Sequence, residues 1–289
     1  MSIFFSIITP TYNRKKELEV LFKSLNRQAG VNFEWVIIDD GSTDDTKEWI
    51  NKFVNDNNNL YKIRYFYQEN QGKNSAVNKG IQIASGEYIA IIDSDDYLCD
   101  NALACVKNYL DQGFFILNKE LIGISGVKVD NQMNPVSFVS DINMTVMSHY
   151  DWFYHERRLG DRIDFYKASV LKANIINHFP KEKFVTEDAL WLDLKGKKLF
   201  INDPLLVVKY MDDGLSSRYA SLLKQNPFGS AYYYYVLLIN SNNILIKCKA
   251  STLIIYYAML AIIKNNNIFI GSLSILMSPI ICLLKLFRK

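Results

Sequence analysis

Cysteine and histidine are both scarce in this chain of 289 residues, and their scarcity excludes several kinds of site. The four cysteines show no CxxC pairing, so neither a disulfide framework nor a zinc site is predicted, and a reducing compartment suits them best. The three histidines are too scattered to indicate a Ser–His–Asp arrangement. The N-terminus has neither the basic region nor the cleavage site of a signal peptide, and its short apolar run ends at Pro10, which is typical of a strand.

Acidic residues are absent from the last quarter of the chain. No Asp or Glu follows Asp213, whereas eight Lys and Arg residues do. Because the whole chain carries a net charge of +3, residues 1–213 carry 3 − 8 = −5. An acidic front and a basic, apolar back suggest two functions. We therefore predict a main domain over 1–213 and a basic, apolar helical extension over 214–289.

The extension contains the two longest apolar stretches, residues 251–263 and 268–287. The second includes a glycine, a proline and a lysine, so an interfacial or re-entrant helix at a membrane surface is the better interpretation than a spanning helix. Four cations lie where anionic lipid headgroups would attract them: Lys264, Lys285, Arg288 and Lys289. The alternatives are a core-forming helical bundle, a homodimer interface and a true transmembrane helix.

The first hundred residues alternate strand and helix patterns. Short, β-rich apolar runs predict four strands, near residues 4–12, 33–42, 61–68 and 88–93. Helical spacing of apolar residues predicts a helix after each of the first three. Such continuous apolar strands imply a parallel sheet covered by helices on both faces. In these sheets, ligands bind outside the carboxyl ends of the strands.

Two acidic clusters follow predicted strands and should therefore face one crevice. Asp93, Asp95 and Asp96 lie within four residues, and like charges that close resist joint ionisation unless a cation lies among them. Asp93 and Asp95 leave an extended strand on the same face, and carboxylates are ligands for Mg²⁺ or Mn²⁺. A solvated turn after a strand is the alternative.

The second cluster, Asp39-Asp40-Gly41, could cap the following helix or bind a nucleobase imide or a ribose hydroxyl. After the third strand, Gly72 would let the backbone approach a ligand, and Lys73 could neutralise a phosphate. The alternative is that Lys73 is an ordinary surface lysine at the start of a helix. This stretch matches neither GxGxxG nor GxxxxGK[ST].

Glu187 and Asp188 form a further acidic pair, with Trp191 three residues after the aspartate. A carboxylate at a helix start beside an aromatic platform for a sugar ring would suit general-base work on an acceptor hydroxyl. The alternative to a catalytic role is a structural one, in which the two acids interact favourably with the helix N-terminus and the tryptophan packs in the core.

Taken together, four stretches resemble the family 2 inverting glycosyltransferases, which have the GT-A fold: "SIITPTYNR", "FEWVIIDDGSTDDT", "ENQGKNSAVNKGIQIASGEYIAIIDSDD" and "TEDALW". The resemblance covers residues 6–96 and resumes at 186–191. It implies an α/β protein with a Rossmann-like, mostly parallel central sheet, helices on both faces and a C-terminal helical apolar extension. The extension is similar, more loosely, to that of bacterial members that build capsule, lipopolysaccharide or other surface glycans.

The resemblance also assigns roles to matching positions. It implies a nucleotide-binding set consisting of Thr9, Pro10, Tyr12, Arg14, Asp39, Asp40, Lys73, Asp93, Ser94 and Asp95. It implies a Mn²⁺ or Mg²⁺ ion held by Asp93 and by Asp95 or Asp96, since family members differ in register there. Asp188 matches the catalytic base with Glu187 supporting it, and Trp191 is the candidate acceptor contact.

The expected reaction is transfer of one sugar from a nucleoside-diphosphate sugar, UDP being favoured by the resemblance, to a glycan or lipid-linked acceptor. Processive family members carry QxxRW, which this chain lacks, and single addition is therefore expected. The expected location is the cytoplasmic side of a bacterial membrane, peripherally bound, with no nucleic-acid partner. A catalytically silent sugar-nucleotide-binding scaffold and a nucleotidyltransferase are the competing hypotheses.

Overall fold

A computed structural model of the chain describes residues 3–54, 60–209 and 218–266. The chain divides into two compact units, which are described separately. The first comprises Met1–Ile175 and Lys195–Met211, and the second comprises Ile176–Leu194 and Asp212–Lys289.

The first unit contains every strand found among the described residues. The strands are β1 (Phe5–Thr11), β2 (Phe33–Asp39), β3 (Lys62–Tyr67), β4 (Tyr88–Ile91), β5 (Tyr97–Leu98), β6 (Leu121–Val129), β7 (Thr145–Met147), β8 (Arg162–Lys167) and β9 (Lys197–Val207). The helices of this unit are α1 (Lys15–Leu25), α2 (Thr46–Val54), α3 (Lys73–Ile83), α4 (Ala102–Asp111), α5 (Gly113–Leu117) and α6 (Ala168–Ala173), and a π-helical turn covers Asp151–His155.

The strands form one sheet of nine in the order β3-β2-β1-β4-β8-β6-β9-β5, and β7 pairs with β9. The first four strands are parallel neighbours, as their continuous apolar runs predict. From β8 onward the sheet is mixed, because β8 is antiparallel to both β4 and β6 while β6 and β9 are parallel. The carboxyl ends of β1, β2 and β4 therefore meet at one edge.

Apolar side chains from strands and helices form the core of the first unit. In α1, Leu18, Leu21 and Leu25 are fully buried and recur at helical spacing, which explains why this segment is an amphipathic helix. They join Phe5, Ile7 and Trp35 of the two central strands in one hydrophobic cluster. This packing fixes the strand ends from which the polar loops emerge.

The described residues of the second unit form helices and the segments that join them. It contains α7 (Asp188–Asp193), α8 (Tyr219–Gln225), α9 (Pro227–Asn240) and α10 (Ile244–Asn266). Leu223, Leu253 and Tyr257 form its buried cluster, and the ring of Tyr234 stacks on that of Tyr257 at 5.7 Å. These contacts join α8 and α9 to α10.

The outer surface of α9 and α10 is apolar as well. Its exposed large side chains are Phe228, Tyr235, Ile239, Ile244, Leu245, Ile255 and Ile262. Within the described part of the chain, Ile244–Lys264 is the one helical segment whose length and composition would allow it to cross a membrane, and only 22% of its most apolar window is buried. A soluble core helix can meet the same criteria, but such a helix is usually mostly buried.

The α/β fold class and the helical, apolar C-terminal region are confirmed. The mixed second half of the sheet was not predicted, since its pairings join segments far apart in sequence. The boundary at residue 213 stays a prediction, and residues 176–194 group with the C-terminal helices in the second unit. The predicted interfacial helix over 268–287, with Lys285, Arg288 and Lys289, lies outside the described residues.

Candidate functional site

Asp39 is the last residue of β2 and Asp40 follows it; both carboxylates are buried, and each has polar partners. Asp39 accepts hydrogen bonds from the Ser42 backbone N–H at 2.7 Å and from the Tyr65 hydroxyl at 2.7 Å. Asp40 accepts three hydrogen bonds at 2.8–2.9 Å, from Gln68 Nε2 and from the backbone N–H groups of Gln71 and Gly72. Asp40 therefore fastens the loop that leads into α3.

The loops after β1 and β2 hold each other through Asn13. Its side-chain Oδ1 accepts hydrogen bonds from the backbone N–H groups of Thr43 and Asp44, at 2.7 and 3.3 Å. Its own N–H donates to Ser42 Oγ at 2.9 Å. Asn13 has φ = 52°, a left-handed conformation that asparagine tolerates better than most residues. The two loops expected to bind a nucleotide thus form one connected structure.

Lys73, the first residue of α3, forms an ion pair with Asp93. Its Nζ lies 2.7 Å from one carboxylate oxygen of Asp93 and 2.8 Å from the other. Gly72 directly before it has φ = 94°, which favours glycine and allows the tight entry into the helix. Burial opposes ionisation of Asp93, but the Lys73 ammonium outweighs it and lowers the pKa of this carboxyl below its usual value.

Asp95 and Asp96 experience the opposite effect. Burial, together with the Asp93 carboxylate, raises the pKa of Asp95, and the Arg14 guanidinium partly offsets the increase. Burial raises the pKa of Asp96 to about 7, against the opposing effect of the Lys128 ammonium. Asp96 also accepts a hydrogen bond from the Lys209 backbone N–H at 3.3 Å. In the acidic turn formed by residues 93–96, burial and repulsion between the carboxylates therefore oppose full ionisation of Asp95 and Asp96.

Lys128, on β6, was not singled out by the sequence. It forms an ion pair with Asp161 and lies within electrostatic range of Asp96 and Asp93. Burial alone would lower its pKa, but these carboxylates raise the pKa above its ordinary value. Nothing in the local sequence distinguishes this lysine, because β6 reaches the acidic turn only through the tertiary fold. Asn13 had a weak signal, an asparagine just after a strand.

The remaining predicted nucleotide-binding residues differ in accessibility. Tyr12 is half exposed and Arg14 is partly buried at the start of α1. Pro10 and Ser94 are buried. Thr9 is fully buried, and its Oγ1 accepts a hydrogen bond from Trp35 Nε1 at 3.0 Å, so its hydroxyl faces the core. The roles of all five stay predictions.

The carboxylates of the acidic turn are suitable ligands for a divalent cation, but too few of them are arranged to hold one alone. Carboxylate oxygens suit a hard cation, and Mg²⁺ commonly uses one or two carboxylates together with substrate phosphates. Within the described ranges, however, no three His, Cys, Asp or Glu side chains are arranged to hold a metal ion. Asp93 is paired with Lys73, and Asp96 is buried with a backbone partner. The donor set therefore fits a cation completed by a bound diphosphate rather than a preformed three-carboxylate site.

Glu187, Asp188 and Trp191 belong to the second unit, at and after the start of α7. The predicted short helix near Thr186 is confirmed, since the backbone carbonyl of Glu187 accepts from the N–H groups of Leu190 and Trp191. Both acids and the tryptophan are partly exposed. The predicted roles of the three in catalysis and acceptor binding are not tested by this arrangement.

Sequence comparison identifies a family. The family model described as Glycosyl transferase family 2 matches residues 6–170, more than half of the chain. A curated relative is the GalNAc(5)-diNAcBac-PP-undecaprenol beta-1,3-glucosyltransferase of Campylobacter jejuni, 29% identical over 209 residues. That alignment covers 68% of this chain, and the chain spans only 60% of the relative's length.

Solved structures show the same fold. The S. aureus protein TarS 1-349 in complex with UDP-GlcNAc has a TM-score of 0.64 at 20% identity, covering 89% of this chain and 72% of TarS 1-349. The mannosyltransferase PcManGT from Pyrobaculum calidifontis, in complex with GDP-Man and Mn²⁺, has a TM-score of 0.55 at 15% identity, covering 100% of this chain and 82% of PcManGT. At these identities the likeness establishes the fold alone.

Proposed function

The chain belongs to glycosyl transferase family 2, and we propose that it transfers one sugar from a UDP-sugar to an acceptor hydroxyl in the synthesis of a bacterial surface glycan. The observation that carries the proposal is the charged edge where Lys73, Asp93 and Asp95 lie beyond the ends of parallel strands. A lysine and acids at that edge suit the diphosphate and cation of a sugar nucleotide. The complex of TarS with UDP-GlcNAc supports a uridine donor.

The acceptor is proposed to be a lipid-linked glycan. The name of the Campylobacter jejuni relative specifies an undecaprenol-linked acceptor, which supports this class. The exposed apolar surface of α9 and α10, in a region without acidic residues, would suit peripheral contact with the cytoplasmic face of a membrane. A homodimer formed through the same surface stays the alternative for that region.

In the proposed reaction, the Asp188 carboxylate accepts the proton of the acceptor hydroxyl as its oxygen bonds to the anomeric carbon. The bond from that carbon to the diphosphate breaks in the same displacement, which inverts the configuration without a covalent intermediate. The transition state resembles the oxocarbenium ion of glycoside hydrolysis. Lys73 would contribute positive charge near the departing diphosphate.

Asp93 and Asp95 would hold Mn²⁺ or Mg²⁺, which supplies Lewis-acid stabilisation of the leaving group when bound. Between the two candidate positions in the acidic turn, Asp95 suits the cation better than Asp96. Asp96 is buried and accepts from the Lys209 backbone, whereas Asp95 is more accessible. The Mn²⁺ in the PcManGT complex supports a divalent cation in this fold.

Asp188→Asn tests the catalytic assignment, with Asp193→Asn at the other end of α7 as its matched control. A positioned base contributes about 10²–10⁴-fold, so kcat for Asp188→Asn should fall by that factor while donor affinity is retained. Asp193→Asn should stay within a few-fold of wild type. The assay is UDP release from UDP-GlcNAc, UDP-glucose and UDP-galactose with a bacterial lipid extract as acceptor. Full activity of a folded Asp188→Asn protein would refute the assignment.

A further inference from the structure

Glu182 connects the segment before Asp188 to the N-terminus of α9. Its buried carboxylate accepts hydrogen bonds from the backbone N–H groups of Phe228 at 2.9 Å and Gly229 at 2.8 Å. These donors belong to the first turn of α9 and have no partner within the helix. A carboxylate there is also favoured by the helix dipole. Glu182 therefore serves as a helix cap supplied by a segment more than forty residues away in sequence.

Two further contacts hold the same segment against the start of α9. The side-chain Oδ1 of Asn226 accepts a hydrogen bond from the Lys183 backbone N–H at 3.0 Å. Gly229 packs so closely that a Cβ placed on it would lie 2.7 Å from the Phe184 carbonyl oxygen and 2.8 Å from Val185 Cγ2. The backbone of residues 183–185 is thus fixed on α9 by hydrogen bonds and by close packing.

Tyr219, the first residue of α8, contacts the segment from a second helix. Its ring meets that of Phe184 edge-on, with 6.1 Å between centroids. Its hydroxyl makes a hydrogen bond with Thr186, and burial, with the nearby Asp188 carboxylate adding to it, raises the pKa of this tyrosine. The C-terminal helices therefore contact the chain at 182–186, directly before the candidate base.

We propose that the C-terminal helices position the catalytic base, with Glu182 and Gly229 as positioning residues that hold the start of α7. This inference rests on the proposed function, because it assumes that Asp188 acts as the base. It gives the extension a role in catalysis in addition to any contact with lipid. It also explains why residues 176–194 form one compact unit with the C-terminal helices.

The test is Gly229→Ala, whose added methyl group must displace Phe184 or Val185. Gly113→Ala is the matched control, because nothing lies within 4 Å of a Cβ at that position. A second variant, Glu182→Gln, replaces one carboxylate oxygen with an NH₂ group. The amide keeps a single acceptor oxygen, so the two oxygens that now accept from the N–H groups of Phe228 and Gly229 are no longer both present. Each protein is compared by hydrogen exchange and by the UDP-release assay, at a temperature where its thermal melt shows it fully folded.

We expect peptides covering residues 183–191 to exchange at least tenfold faster in Gly229→Ala and Glu182→Gln, with peptides over 60–98 unchanged. We expect kcat to fall about tenfold or more, since small displacements of catalytic groups cost up to about 100-fold, while KM and Kd for the UDP-sugar stay within twofold. A purely structural role would change the melting temperature without separating kcat from KM.

Unchanged exchange over 183–191, or unchanged kcat despite faster exchange, would overturn the inference. Equal losses of donor affinity and of kcat would overturn it as well, because a positioning role spares donor binding. If Asp188→Asn abolishes transfer and Gly229→Ala leaves kcat unchanged, only the positioning inference is wrong. If Asp188→Asn remains fully active, the assignment of the base is wrong and the inference falls with it.

Discussion

Replacing Asp40 with alanine should destabilise the first unit and loosen the loop that leads into α3, whose first residue is Lys73. Asp40 is only 4% exposed, and its carboxylate accepts three hydrogen bonds, two of them from backbone N–H groups. A hydrogen bond to a charged group contributes about 1.5–3 kcal/mol, and water can replace part of the loss at this partly exposed loop. We therefore expect a loss of about 2–4 kcal/mol, which lowers the melting temperature by roughly 5–10 °C.

The assay is a thermal melt of Asp40→Ala beside Asp45→Asn, an aspartate whose side chain is 81% exposed and which should change stability by no more than about 0.5 kcal/mol. Affinity for UDP, measured by titration calorimetry, should fall together with stability. If Asp40 instead acts only on the nucleobase, UDP affinity would fall while the melting temperature stayed at the wild-type value. That result would refute the structural reasoning.

Two further predictions concern buried charges. Arg162 is 5% exposed and donates hydrogen bonds to the backbone carbonyls of Ser125, Phe138 and Ile201. Arg162→Met removes this donor, so the free energy of unfolding measured in urea should fall by about 3 kcal/mol or more. A loss below about 1 kcal/mol would contradict this prediction. Burial raises the pKa of Asp96 from 3.8 to about 7. Between these two pH values the native state keeps a proton on Asp96 that the unfolded state has lost. The free energy of unfolding should therefore fall as pH rises from about 4 to 7, by up to about 4 kcal/mol. Asp96→Asn in EDTA should remove most of this slope in urea melts between about pH 4 and 7, and an unchanged slope would contradict the assignment to Asp96.

The first half of the fold could be predicted because its signals are local. The buried run of β2, the helical spacing of Leu18, Leu21 and Leu25, and the aspartates after β2 and β4 each need only neighbouring residues. Parallel pairing then places the carboxyl ends of these strands at one edge. The alternation of strands and helices along the sequence was therefore sufficient to predict that both acidic clusters lie at the same edge of the sheet.

The partners of the acidic residues could not be predicted in the same way. The hydrogen bonds of Asp40 and the ion pair of Lys73 with Asp93 depend on how the loops meet in three dimensions. The sequence suggested that Asp40 caps a helix or binds a base; the structure adds its hydrogen bonds to the loop before α3, and its role in nucleotide binding stays a prediction. Lys128 and Glu182 had no local signal at all, because each acts on a segment more than thirty residues away.

The central claim, that this charged edge binds a UDP-sugar with a divalent cation, is tested most directly by ligand-induced thermal stabilisation. The wild-type protein and Asp95→Asn are melted with UDP-, dTDP- and GDP-sugars, with and without Mn²⁺, since a ligand that binds only the folded state raises its stability. Asp111→Asn, at an exposed ion pair on α4, is the control. The account predicts a Mn²⁺-dependent increase with UDP-sugars in wild type and control that is lost in Asp95→Asn. No increase with any donor, or an equal increase in Asp95→Asn, would contradict it.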